Sequence, residues 1–190
     1  GGDIIAAPSQ GMYAYVLREG ESEPPPEIKE IWARYRRIVE VLAEHVRVGL
    51  TPREVVDNYT TVFEEEGIIL RDDQLHLFTP RNDFSAYTAA FDPDETHLNI
   101  DMHAMGKGAR ERKFENYFGP RIGSNGPEWM WDIPIPPNHH FVLEFFIYMP
   151  WPSSEHEDQY LFWWDHEQAI ATDSGVEYLS PPQEELYLIN

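Results

Sequence analysis

An unpartnered carboxylate inside an apolar strand costs roughly several kcal/mol, so a lone acid there marks a wet strand face or a charge kept for chemistry. Glu144 is such an acid, the one carboxylate in Phe141-Val142-Leu143-Glu144-Phe145-Phe146-Ile147-Tyr148. Glu167 is a second, placed in WWDHEQAIATDSG between Trp163-Trp164 and Ala169-Ile170-Ala171, with Asp165 on its face by the two-residue period of a strand. The third group, His103 in Asp101-Met102-His103-Ala104-Met105-Gly106, follows a strand-like run and can present imidazole to a metal. One imidazole and two carboxylates suffice for a mononuclear hydrolytic site with an open water position. Each residue also has a plain structural reading. Glu144 can face solvent or pair with an Arg, Asp165-His166-Glu167 can be a charged edge that blocks strand-to-strand aggregation, and His103 can be a satisfied core histidine. Two Glu brought together without metal raise one pKa or demand a basic neighbour, for which Arg110 and Lys107 are the candidates.

The elements that must position these groups follow from periodicity. Tyr13 to Leu17 is a β-favouring run ending at the turn-like Arg18-Glu19-Gly20-Glu21. Pro24 to Pro26 introduce a long amphipathic helix, with Ile28, Ile31, Trp32, Tyr35, Ile38, Val39, Leu42 and Val46 three or four residues apart, closed by Gly49. Thr51-Pro52-Arg53-Glu54 reads as a capping box opening a second helix that runs to about Gly67, with Val55, Val56, Tyr59, Val62 and Phe63 on its apolar side. Beyond it come strand-like runs at Leu75 to Phe78, Thr96 to Met102, Phe141 to Met149, Tyr160 to Trp164 and Gln168 to Thr172. Helices followed by strands predict an α+β fold. In a regular strand His97, Asn99, Asp101 and His103 share one face, which makes the first three candidates to support His103.

The chain of 190 residues fits one domain over residues 1–190, and its 42% hydrophobic content supports a packed core. With 14 Lys and Arg against 34 Asp and Glu, the net charge of -20 repels phosphate backbones and anionic headgroups, so neither nucleic acid nor membrane is an expected partner. The absence of cysteine excludes a disulfide framework, a thiolate nucleophile and a Cys-based metal site. No run has the length of a membrane span and nothing requires an oxidising compartment, so a soluble, cytoplasmic protein is expected. The tryptophans Trp129, Trp131, Trp151, Trp163 and Trp164 suit a core or a peptide groove. His45, His139, His140 and His156 read as structural or exposed.

Several of these segments, in this order, resemble the metallopeptidase superfamily of methionine aminopeptidases, Xaa-Pro dipeptidases and creatinases. The family's His-x-x-Gly is matched by HAMG with His103, its Glu in an apolar strand after a Pro-Asn turn by PPNHHFVLE with Glu144, and its Glu before an acidic-Gly turn by HEQAIATDSGVEYLSPP with Glu167. Upstream, YVLREGESEPPPEIKE and GLTPREV are similar to the family's strand, long helix and Gly-x-Thr turn, and FGPRIG to its Gly-Pro segment. The resemblance implies a pita-bread fold, a curved antiparallel sheet covered by helices, incomplete at its N-terminal part. It implies metal-dependent hydrolysis of a peptide or related C-N bond, with His103, Glu144 and Glu167 as metal ligands and Glu144 helping to move a proton of the bound water.

The match is partial. The family's two Asp ligands have no equivalents, since Ser9 stands where the second is expected, and the position of its second His aligns with Arg110 or Asn116. Arg110 can donate hydrogen bonds to an oxyanion but cannot exchange protons near neutral pH. The three remaining ligands hold at most one divalent ion, Mn, Co, Zn or Fe, or none. Two expectations therefore stand: a divergent hydrolase taking a peptide or small-molecule substrate, with a homodimer allowed, or an inactive scaffold serving as a binding or assembly module.

Overall fold

The computed structural model describes residues 11–71, 95–104, 120–123, 128–150 and 160–190. The predicted first strand is the short β1 (Ala14–Val16). The proline-led helix is α1 (Pro26–His45), with Ile31, Tyr35, Ile38, Val39, Val41 and Leu42 buried along one stripe. It stops short of Gly49. Val46 leaves the helix in an extended conformation and is fully buried, while Val48 N–H donates to the Thr172 carbonyl and Gly49 N–H to that of Ile135. Packing and hydrogen bonds to distant segments thus end the helix before the glycine does.

The second helix, α2 (Pro52–Glu65), begins as its sequence dictates. The Thr51 hydroxyl accepts from Glu54 N–H and the Glu54 carboxylate accepts from Thr51 N–H, a reciprocal capping box. Its stripe of Val55, Tyr59 and Phe63 packs into the same core as α1.

The strands that follow are β2 (Ile68–Arg71), β3 (Thr96–Ile100), β4 (His103–Ala104), β5 (His140–Pro150), β6 (Tyr160–Thr172), β7 (Gly175–Tyr178) and β8 (Tyr187–Ile189). They build an open sheet of order β2-β3-β5-β6-β7, with β4 also paired to β5, and a separate ribbon in which β8 lies parallel to β1. The expected antiparallel sheet is in fact mixed, because β2 pairs with β3 in parallel. The chain between Arg71 and Thr96 is long enough for the crossover that a parallel pair demands. Two expected strands, Tyr160 to Trp164 and Gln168 to Thr172, are one, since the ladder of β6 with β5 continues unbroken through Asp165, His166 and Glu167. The expected strand at Leu75 to Phe78 lies outside the described residues.

Both helices cover one face of this sheet, where Phe141, Leu143, Phe145, Ile147 and Met149 of β5 join Trp163, Ala169 and Ala171 of β6 in the core. Strand periodicity turns the alternate residues of both strands to the opposite face. Among the described residues no helix is long and apolar enough to cross a membrane.

Candidate functional site on the sheet face opposite the helices

Register decides which polar side chains meet. Glu144 pairs with His166 and Leu143 with Glu167. Directly paired residues share a face, so Glu144 lies with His166 on the side away from the helices, and Glu167 lies with Leu143 on the helix side. On β4, His103 pairs with Val142 and therefore joins the face of Glu144. Asn138, at φ 60, turns the chain into β5, a left-handed position that asparagine tolerates.

His103 and Glu144 do meet. The His103 Nε2 lies 3.2 Å from Glu144 Oε2, and the indole N–H of Trp164 donates to Glu144 Oε1 at 3.2 Å. Burial raises the Glu144 pKa, but the contacts with His103 and Trp164 outweigh it and hold the carboxyl below its ordinary value. Behind the pair, Asp101 N–H donates to the Glu144 carbonyl at 2.8 Å, and the Asp101 carboxylate is gripped by Arg121 through Nε and Nη2. The adjoining turn needs a glycine at 123, because a Cβ there would lie 2.5 Å from the Ile100 carbonyl oxygen.

His97 and Asn99 pair with Tyr148 and Phe146, which puts them on the face of Glu144, and both are buried. An aromatic series crosses the same face. Trp164 stacks on Phe146 (6.0 Å, 3°) and on His166 (5.0 Å, 25°), and Phe162 stacks on Phe146.

Glu167 belongs to a different environment. It is buried under the helices with Asp165, whose carboxylate accepts from the Tyr35 hydroxyl, from Gly11 N–H at 3.2 Å and from His166 N–H at 2.7 Å. Burial pushes the Asp165 pKa up, against the lowering effect of these donors. Burial first, and then the charge of Glu167, also push up the Tyr178 hydroxyl.

The expected ligand set His103, Glu144 and Glu167 is therefore not assembled, and among the described residues no group of three His, Asp or Glu side chains is placed to hold a metal ion. The His103 nitrogen nearest the site faces the Glu144 carboxylate. Among the described residues these donors, divided between the two faces, do not make up a site for a divalent ion. Arg110, Lys107, Ser9 and Asn116 lie outside the described residues.

The tryptophans divide by position. Trp163 is in the core at 8% exposure, Trp164 is 45% exposed on the opposite face, Trp129 is exposed, Trp131 lies under the Arg53 guanidinium, and Trp151 is outside the described residues. Sequence reasoning passed over His140, His166 and Gln168, which the register places on the face of Glu144. The available signal was the alternation in WWDHEQ, which separates Trp164, His166 and Gln168 from Trp163, Asp165 and Glu167.

No protein-family model matches the sequence, and no curated protein does. Solved structures do match in three dimensions. The N-terminal domain of the FACT complex subunit SPT16 from Eremothecium gossypii superimposes with a TM-score of 0.50 at 12% identity, over 88% of this chain and 31% of that one. An X-Pro aminopeptidase from Thermotoga maritima gives 0.49 at 17% identity, over 88% of this chain and 35% of that one. A methionine aminopeptidase from the same organism gives 0.46 at 14% identity, over 83% and 53%. The chain thus spans about a third of the length of the first two. At such identities the likeness carries the fold alone, and that fold is the mixed α and β, pita-bread arrangement which the motifs had led us to expect.

Proposed function

We propose that this chain is a peptide-binding domain built on the Xaa-Pro peptidase and aminopeptidase fold, with its site on the sheet face that carries His103, Glu144 and Trp164. The observation that carries this reading is the register of β5 against β6. It sends Glu144 and Glu167 to opposite faces and so separates the ligands on which the family's hydrolysis depends. What remains on the outer face is suited to recognition. An ionised carboxylate stands beside partly exposed aromatic rings, Trp164 and Phe162, in a protein of net charge -20. Such a surface favours peptides that bring a cationic group, through the carboxylate and the ring faces together.

The test is metal analysis of the purified protein with Zn, Mn and Co titrations, alongside peptide binding followed by tryptophan fluorescence and a peptidase assay. Saturable fluorescence change without stoichiometric metal or hydrolysis is expected. A stoichiometric ion lost in the Glu144→Ala, Glu167→Ala double variant overturns the reading.

A second reading, metal-dependent hydrolysis, is favoured by the contact of His103 with Glu144. It requires a one-residue slip or a bulge between β5 and β6, since only that turns Glu167 to the face of Glu144. The same metal titration distinguishes the two.

A further inference from the structure

Among the described residues, two buried nitrogens on the outer face lack a hydrogen-bond partner. Among the described residues neither Gln168 Nε2 nor His140 Nε2 makes a hydrogen bond, although both atoms are buried and Gln168 as a whole is only 6% exposed. Buried amide and imidazole nitrogens are rarely left so, and an orphaned pair on one surface points to a group that arrives from outside. The register puts them together. Gln168 pairs with Val142 and His140 pairs with Ile170, so the two are diagonal neighbours on adjacent strands, on the face that holds His103 and Glu144.

Their chemistry is complementary. The Gln168 side chain accepts from His140, which leaves the Gln168 NH2 as a donor seeking an oxygen. Burial keeps His140 neutral by lowering its pKa, and with Nδ1–H directed to Gln168 its Nε2 is a lone-pair acceptor seeking a proton. One donor and one acceptor, side by side and uncharged, do not suit a carboxylate or a cation, each of which would satisfy only half of the pair. The N–H and C=O that one residue of an extended peptide turns to the same side satisfy both.

We propose that Gln168 and His140 form a subsite for one residue of an extended bound peptide, Gln168 Nε2 donating to that residue's carbonyl oxygen and His140 Nε2 accepting from its N–H. This deepens the peptide-binding reading and rests on it. The subsite fixes the register of the peptide along β5 and β6 and rejects a tertiary amide, such as the bond preceding proline, at that one position.

The experiment uses the full chain and the cationic peptide acetyl-Ala-Lys-Ala-Ala amide, with a series of analogues N-methylated at each backbone amide in turn, followed by tryptophan fluorescence and by the NMR signals of the Gln168 side-chain NH2. Methylation at one position is expected to weaken binding about tenfold, because it leaves the His140 acceptor unpaired, and methylation elsewhere to change little. In Gln168→Leu and His140→Phe that difference disappears. If the parent peptide binds but the methylation series is flat, or the difference survives in both variants, the subsite is wrong and the peptide-binding reading stands. If no peptide binds the wild-type protein, both fall. The methylation series needs no variant, so failure of either substitution to fold leaves the proposal testable.

Discussion

The two faces of β6 carry the same kinds of residue and use them differently. Trp163, Asp165 and Glu167 turn under the helices, whereas Trp164, His166 and Gln168 turn away. On the helix side Asp165 binds Tyr35 and the backbone of Gly11, so its acidity serves to hold the chain's early segment against the sheet. A Cβ on Gly11 would lie 2.5 Å from the Asp165 carboxylate oxygen, so a larger residue there would have to displace that carboxylate. On the outer side Glu144 is reached by His103 and Trp164 and stays near solvent. An acid is therefore structural or available according to the parity of its position.

The largest test of this contrast is the pair of neighbouring tryptophans. Trp163 stacks on Tyr13 at 4.7 Å and packs on Trp32 and Tyr35, so Trp163→Ala should cost about 3–5 kcal/mol in urea unfolding. Trp164→Ala should cost about 1 kcal/mol or less and instead abolish the peptide-dependent fluorescence change.

Next in size is Tyr35→Phe, which removes a hydroxyl donor from buried Asp165 and should cost about 2 kcal/mol at pH 7. The folded-state pKa of Asp165 is already raised, so its contribution is full below the unfolded value and is lost as pH rises through the folded one. Without the Tyr35 donor that pKa rises further. The variant should match wild type most closely in acid and diverge as pH increases, which unfolding measured at several pH values will show.

His139, packed edge-on against the core residue Phe141 just before β5, has the opposite sign. Burial depresses its pKa to about 4, overriding the hydrogen bond to the Pro120 carbonyl. For a base held neutral in the fold, stability is lost as pH falls from the unfolded value near 6.5 through 4, by roughly 2 kcal/mol given partial solvent access. His139→Phe should flatten that part of the stability profile.

The smallest effect is that of Glu144→Gln, below about 1 kcal/mol because the pair with His103 is partly exposed. The lowered pKa of Glu144 makes its contribution present above the unfolded carboxylate value and lost as pH falls through the folded one. The variant should lose that acid-side decline while weakening peptide binding more than it weakens the fold.

Features that depend on near neighbours were readable from the sequence. The capping box of Thr51 and Glu54, the stripe of α1 and the Pro-Asn turn at Asn138 are set by residues within a few positions of one another. The end of α1 was not, because burial of Val46 and hydrogen bonds to Ile135 and Thr172 override the local glycine signal. Nor was the unity of β6, since Asp165 looks like an interruption until Tyr35 and Gly11 are brought against it. Of the three expected ligands, His103 and Glu144 came together, and Glu167 did not.

The amino-acid order alone determined that this is an acidic chain of α+β class with two amphipathic helices preceding its main strands, and that Glu144 and Glu167 sit inside apolar strand segments. Alternation along each strand was legible as well. Which parity faces the helices, and how one strand is set against the next, only the tertiary structure decided. The physical reason is that a strand's two faces are locally equivalent, and register is chosen by the whole set of side chains that the helices can bury at once.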